Sequence, residues 1–200
     1  SIPLAGLTSY QALIDVAKLS TGESILIHAG AGGVGTIGIQ LAKHVGANVT
    51  TTTSTKNIDL VKSLGADNVI DYTKESYLDE SSKFDVVFDT LGGKHTFDSF
   101  KVLKVGGRVV SIAGDLDSVT TKQLGLNKII SFLLALKAKK ITKVASKMGA
   151  LYRFLLMSPN GEQLKELSKL YESGAIKPVI DKIYNFDDSI QALNYLSKGR

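Results

Sequence analysis

Cysteine is absent from this 200-residue chain, which excludes disulfides and thiolate-ligated metals within it and fits a cytoplasmic setting. No apolar run reaches the ~18 residues that a membrane-spanning helix needs. The opening stretch SIPLAGLTSY has neither a basic leader nor a long apolar segment, so it does not read as a signal peptide. It also lacks an initiating methionine, which points to a processed or excised chain. Acidic residues are missing between Ser118 and Gly161, where eight Lys and Arg stand. That segment holds +8 of a formal net charge of +5, so the remainder carries −3. The basic character is local, and it does not make the whole chain a polyanion binder.

What is present suits one good-sized core: 44% of the residues are hydrophobic and 22% charged. ESILIHAG reads as a buried strand running into glycines. Val34, Ile37, Gly38, Leu41, Ala42 and Val45 then recur at helical spacing, and Gly46 stops that helix. ANVTTTT is the next strand, followed by a helix with Ile58, Val61 and Leu64 on one side and Gly65 at its end. DNVIDY is a third strand and FDVVFDTLGG a fourth. A helical pattern through Phe97, Phe100 and Leu103 is expected to end at Gly106-Gly107, before a fifth strand, GRVVSIAG. A helix is expected from Leu126 to Met148, with Ile130, Leu133, Leu134, Ile141 and Val144 on its core face and five lysines from Lys137 to Lys147 on the other. LYRFLLMS reads as a sixth strand, GEQLKELSKLYES as a helix closed by Gly174, KPVIDKIYNF as extended, and DDSIQALNYLSKG as a last helix capped by its aspartates. Alternating strands and helices at this spacing give an α/β class with a doubly wound, six-stranded parallel sheet in three αβα layers, a Rossmann fold.

The chemistry concentrates between the first strand and helix, where GAGGVG sets Gly30, Gly32 and Gly35 in a full G-x-G-x-x-G. The spacing allows a tight turn, close backbone approach to a pyrophosphate and close helix packing, with the anion on the helix N-terminus. Gly33 and Val34 lie within that turn. The motif reads as a dinucleotide site. The second strand then decides which dinucleotide. An acid at its end accepts from the ribose 2′-hydroxyl of NAD; neutral donors and a cation favour the 2′-phosphate of NADP. Here Thr53, Ser54, Thr55 and Lys56 stand at that place, and the first acid is Asp59. NADP(H) is the expected cofactor; the alternative reading of Thr53 to Thr55 is that they cap the second helix. At the carboxyl ends of the fourth and fifth strands, Thr90, Leu91 and Gly92, with Ile112, Ala113 and Gly114, would line the rest of the dinucleotide.

Other candidates are weaker. His28, His44 and His95 show no regular metal-ligand spacing, so no metal site is expected, and His28 reads as a buried, satisfied histidine. Asp85, Asp89 and Asp98 read as strand-end and helix-surface acids. The lysine face reads as solvated; it has no interleaved aromatics for stacking on bases, so nucleic acid is not an expected partner. No catalytic acid can be assigned.

The set GLTSYQAL, ILIHAGAGGVGTIGIQLAK, SLGADNVIDY, FDVVFDTLGG, GGRVVSIAG and GEQLKELSKLYESGAIKPVID resembles the medium-chain dehydrogenase/reductase superfamily, within it the zinc-independent quinone oxidoreductase (zeta-crystallin-like) branch. The resemblance implies an NADP-binding domain over residues 1–175, and a segment, 176–200, returning toward an N-terminal catalytic domain. It implies hydride transfer to a quinone, enone or other carbonyl-type substrate without zinc. It places Thr8 near the nicotinamide, Gly32 to Val34 at the pyrophosphate, and Ser54, Lys56 and Tyr72 at the 2′-phosphate. Relatives often set their lysine one place later, where this chain has Asn57. The sixth strand, Tyr152 to Met157, is implied as a homodimer edge. The alternatives are the cofactor domain of a zinc-dependent alcohol dehydrogenase, and a non-catalytic NADPH-sensing or RNA-binding protein.

Overall fold

The computed structural model describes residues 2–80 and 83–197, with the backbone alone at Ala135. Six parallel strands form one sheet in the order β3-β2-β1-β4-β5-β6. They are β1 (Ser24–Ile27), β2 (Asn48–Thr53), β3 (Asn68–Asp71), β4 (Phe84–Asp89), β5 (Leu103–Ser111) and β6 (Leu151–Phe154). The helices are α1 (Ile2–Tyr10), α2 (Gly33–Val45), α3 (Ile58–Ser63), α4 (Lys94–Val102), α5 (Ser118–Gln123), α6 (Lys128–Lys147), α7 (Gly161–Glu172) and α8 (Ser189–Ser197). A π-helical turn, Gln11–Val16, continues α1.

Alternation along the strands splits the core in two. Ile25 and Ile27 of β1, with Val86, Phe88 and Val110, face Leu7, Leu13, Ile39, Leu41, Val61 and Leu167 from α1, the π-turn, α2, α3 and α7. Leu26, Val87, Val109 and Tyr152 face Phe100 of α4 and Ala138, Ile141 and Ala145 of α6 on the other side. Period-two strands buried on both faces require helices on both faces, and the expected doubly wound fold is what the chain adopts.

Three boundaries differ from the sequence reading, the first at the sixth strand, which ends at Phe154 where its pairing with Ser111 ends, rather than running through Met157 to Ser158. The helix expected to reach Gly106 ends at Val102, and Leu103 already pairs with Phe84. The register then shifts so that Val86 faces Arg108; the glycine pair sits in the resulting irregularity rather than at a helix end. The helix expected from Leu126 begins at Lys128, capped by Asn127, whose side chain accepts from the Ile129 N–H. Its core face is also shorter than the periodicity implied: Ile130 and Leu133 are exposed, together with Ile129, Phe132 and Leu136, and burial begins at Ala138. A 20-residue helix is ~30 Å long, whereas β6 has only four residues to lie under it. The first turns of α6 therefore have no strand beneath them. α1 and α5 carry no marked apolar period, and periodicity did not find them.

KPVIDKIYNF has no regular structure except a 3-10 turn from Phe186. Asp188 Oδ1 accepts from the side-chain Nε2 of Gln191 in α8 at 3.1 Å, a side-chain contact rather than the expected cap on the helix's backbone N–H groups. α8 buries no residue: Ile190, Leu193 and Leu196 are exposed, as is Phe186 at 92%. The end expected for this helix at Lys198 and Gly199 lies outside the described residues.

Leu167 joins the last large helix to the first, seated over Gly6 so that a Cβ there would lie 3.1 Å from its Cδ1. Leu167→Ala is expected to destabilise the fold by ~2–5 kcal/mol, because α1 and α7 are fixed to the sheet and cannot collapse onto the cavity. Urea unfolding checks this through a lowered midpoint at unchanged slope.

Candidate functional site

The turn after β1 is built by backbone crowding. Ala29 is left-handed at φ +52°, and its N–H donates to Thr52 Oγ1 at 3.0 Å. The Gly30 N–H donates to the Thr52 carbonyl, and Thr51 Oγ1 donates to the Ile27 carbonyl. A Cβ on Gly30 would lie 2.1 Å from Thr51 Oγ1; one on Gly35 would lie 2.4 Å from the Ala29 carbonyl oxygen. Gly32 precedes α2 in extended backbone, and no side chain caps this helix. Its first N–H groups are thus left for a ligand or water, and nothing lies within 4 Å of where a Cβ on Gly33 would stand. The cradle fits a phosphate. The Val34 carbonyl faces away, accepting from the buried Ser9 hydroxyl of α1 at 3.0 Å. Thr8, beside it, is buried and spends its hydroxyl on the Leu4 carbonyl.

From Gly32 a cleft of about 600 Å³ runs to Thr53, Ser54, Lys56, Asn57 and Tyr72. Thr53 is buried at the end of β2, and its carbonyl accepts from the Tyr72 N–H. Among the described residues Ser54 Oγ accepts only a long contact from Asn57 Nδ2, 3.4 Å, so its proton is available to a ligand. Tyr72 is 62% exposed. Thr55 departs from the expectation of a hydroxyl donor. Its proton goes to Asp71 Oδ2 at 2.5 Å, from the strand paired with β2. Asp71, itself buried, also accepts from the Thr73 hydroxyl and N–H. The Thr55 and Thr73 hydroxyls hold its carboxyl down to about 2, so it is ionised throughout the working range. The site is thus free of acids on β2 but not on β3.

The ends of β4 and β5 are tied by Asp89. Its fully buried carboxylate accepts from the Leu91 and Gly92 N–H groups and from the Thr96 and Ser111 hydroxyls. Thr90 Oγ1 donates to the His28 carbonyl, and the Ile112 N–H donates to the Asp89 carbonyl. Ala113 N–H reaches Ser111 Oγ, and Ala113 and Gly114 line a second cleft, of about 510 Å³, with Gly93 and Lys137. Thr90, Leu91, Ile112, Ala113 and Gly114 are therefore brought to one edge, as expected. Asp98 is not a surface acid; it is buried in α4 against Lys101 at 2.6 Å.

A profile described as zinc-binding dehydrogenase matches residues 64–200. The chain belongs to this family. Within the medium-chain dehydrogenase/reductase superfamily it is an NAD(P)-binding domain related to quinone and alkenal reductases. It is 41% identical to the 2-methylene-furan-3-one reductase of Solanum lycopersicum, covering 100% of this chain and 44% of that protein. It is 39% identical to the chloroplastic NADPH-dependent alkenal/one oxidoreductase of Arabidopsis thaliana, over 98% of this chain and 42% of that protein. The quinone oxidoreductase structure from Coxiella burnetii superposes with a TM-score of 0.79 at 34% identity, covering 99% of this chain and 56% of its own. The chain thus spans about half the length of the relatives it matches. Among the described residues no group of three or more His, Cys, Asp or Glu could hold a metal, and no helix is long and apolar enough to cross a membrane.

One buried group in this family member is not satisfied as expected. His28 is fully buried under the glycine turn; its Nδ1 lies 3.4 Å from Thr52 Oγ1, and its Nε2 has no hydrogen-bond partner among the described residues. The rings of Tyr77 and His95 enclose it at 4.6 and 5.9 Å. Burial lowers its pKa to about 4, against the attraction of Asp89 and with the repulsion of His95. The unfolded chain therefore binds this proton more readily. The His28 contribution to stability is complete above pH ~6.5 and is lost as pH falls toward 4, up to ~3 kcal/mol. Unfolding free energies from urea titrations between pH 7 and pH 4 are expected to fall less in His28→Leu than in the wild type by about that amount; parallel profiles refute the assignment.

Proposed function

We propose that this chain binds NADP(H) and serves an oxidoreductase that transfers hydride to a quinone, enone or related carbonyl compound without zinc. One observation carries the reading. A single cleft joins the uncapped N-terminus of α2 to a seat with Ser54, Lys56, Asn57 and Tyr72, and β2 brings no carboxylate to it. The pyrophosphate would lie on the α2 N–H groups, and the 2′-phosphate against Ser54, Lys56 and Tyr72, a charge-assisted site. Asn57 stands in the same lining as Lys56, so either can reach an anion there. When bound, the nicotinamide supplies the hydride. The residues at the ends of β4 and β5, tied together by the four donors on Asp89, would orient it. No residue of this chain is assigned the role of proton donor.

The relatives named for alkenal, furanone and quinone reduction support the substrate class. The exposed apolar residues of α6 and α8 support a further part of the enzyme closing over the carboxyl edge. Metal analysis of the intact gene product tests the zinc-independent branch, and stoichiometric zinc would move the protein to the alcohol dehydrogenase type. β6 is an edge of the sheet, and pairing with a second copy there would protect it. Sedimentation as a monomer at micromolar concentration would remove that part of the proposal.

Fluorescence or calorimetric titration is expected to show tighter binding of NADPH than of NADH. Lys56→Ala should weaken NADPH about tenfold and leave NADH unchanged, since only the former offers a dianion to the ammonium. Equal affinities in the wild type, or a preference for NADH, overturn the 2′-phosphate assignment.

A further inference from the structure

The Thr55 and Thr73 hydroxyl oxygens stand 3.2 Å apart in the lining of the adenosine cleft. A hydroxyl has one proton, and an ionised carboxylate can only accept. Asp71 takes both protons, from Thr55 at 2.5 Å and from Thr73 at 2.7 Å. None is left to lie between the two oxygens, so each presents only lone pairs to the cleft. Two acceptors side by side are stabilised by a donor placed across them.

Asp71 is well fitted to impose this polarity. It is 4% exposed, and the Thr73 N–H also binds its Oδ1, while its own N–H donates to Glu75 Oε1. Lys74, at 3.4 Å, is its nearest cation. The carboxylate disfavours a phosphate at the two threonines and directs it toward Ser54, Lys56 and Tyr72.

We propose that the Thr55–Thr73 oxygen pair is an acceptor subsite for an N–H or O–H donor on the adenosine half of the dinucleotide, with Asp71 as the positioning residue that sets its polarity. The inference rests on the reading that a dinucleotide docks in this cleft. Two groups supply such a donor: the 6-amino group of adenine and the 3′-hydroxyl of the ribose. Both leave the 2′-phosphate to the cationic side of the cleft.

The test measures direct binding of four probes to the wild-type chain. NADP and its hypoxanthine analogue differ in the amino donor; adenosine 2′-monophosphate and its 3′-deoxy form differ in the hydroxyl. At least one analogue should bind about tenfold more weakly than its parent, the cost of facing two acceptors without a donor. Which one does so identifies the donor. That penalty should shrink to less than about threefold in the exposed double variant Thr55→Val/Thr73→Val. It should shrink likewise in Asp71→Asn, whose amide can donate to one threonine and so release that hydroxyl's proton to the cleft. A purely structural role for Asp71 would weaken all four probes equally and leave the penalty intact, and that result overturns the proposal. So does a wild type that binds each analogue as well as its parent. If NADP binding remains sensitive to Lys56→Ala in that case, only the subsite fails; if no probe binds, the docking reading fails with it.

Discussion

The start of α2 crosses the end of β1 at a distance that leaves no room for side chains, and most of the molecule's organisation depends on that crossing. A Cβ on Gly35 would meet the Ala29 carbonyl oxygen at 2.4 Å and Gly30 Cα at 2.7 Å. These are backbone atoms, which cannot swing aside. Gly30 is constrained separately, by the Thr51 hydroxyl. Immediately before the first motif glycine, Ala29 sits in the left-handed region, at a cost of about 1–2 kcal/mol for a residue with a Cβ. The Thr52 hydroxyl and carbonyl, bonded to the N–H groups of Ala29 and Gly30, offset that cost. The turn thus depends on β2 as much as on its own glycines.

This gives the threonine run two tasks along one strand. In the buried part, Thr51 and Thr52 use their hydroxyls on the backbone of β1 and its turn, where a valine of the same shape would leave the Ala29 N–H without its acceptor. Past Thr53 the chain emerges into the cleft, and Ser54 and Lys56 are available to a ligand. Parallel pairing then sets Asp71 opposite Thr53, so an acid missing from the end of β2 is supplied by β3. Its lone pairs are taken by threonines, which makes it a source of orientation rather than a contact for a ribose.

The elements with a strong period were legible in the sequence: β1 to α2, β2, α3 and α7 lie where alternation or helical spacing put them, and the glycine motif falls between the elements it needs. The residues gathered in the candidate site were legible for the same reason, since carboxyl ends of parallel strands share an edge. What escaped is set by partners distant in the chain. Asp89 reads as one more strand-end acid until Thr96 and Ser111 close on it, and Asp71 until Thr55 and Thr73 do. Ser9 gains its meaning only through the Val34 carbonyl, 25 positions away. In α6 the period identifies an apolar face correctly, yet it cannot say how much of that face lies over a strand. Ile130 and Leu133 keep the spacing of core residues and remain exposed.

The two ends of the cleft region differ in their lining, and the difference bears on where selectivity resides. One is lined by the α2 N-terminus, the 54–57 turn and the 72–73 turn, which the proposed reading gives to the adenosine half. At the other, the ends of β4 and β5 line the second cleft together with Lys137 and Ile141 of α6. On the proposed reading, interactions at the adenosine end are the same before and during reaction. They anchor the cofactor without lowering the barrier, because only contacts that strengthen in the transition state do that. Their value lies in fixing the ring over the Asp89-held edge, so that position, rather than acid–base chemistry, is what this domain contributes. Choice of cofactor and choice of substrate then sit in different parts of the protein. Substitutions in the 54–57 turn can change the first without touching the second.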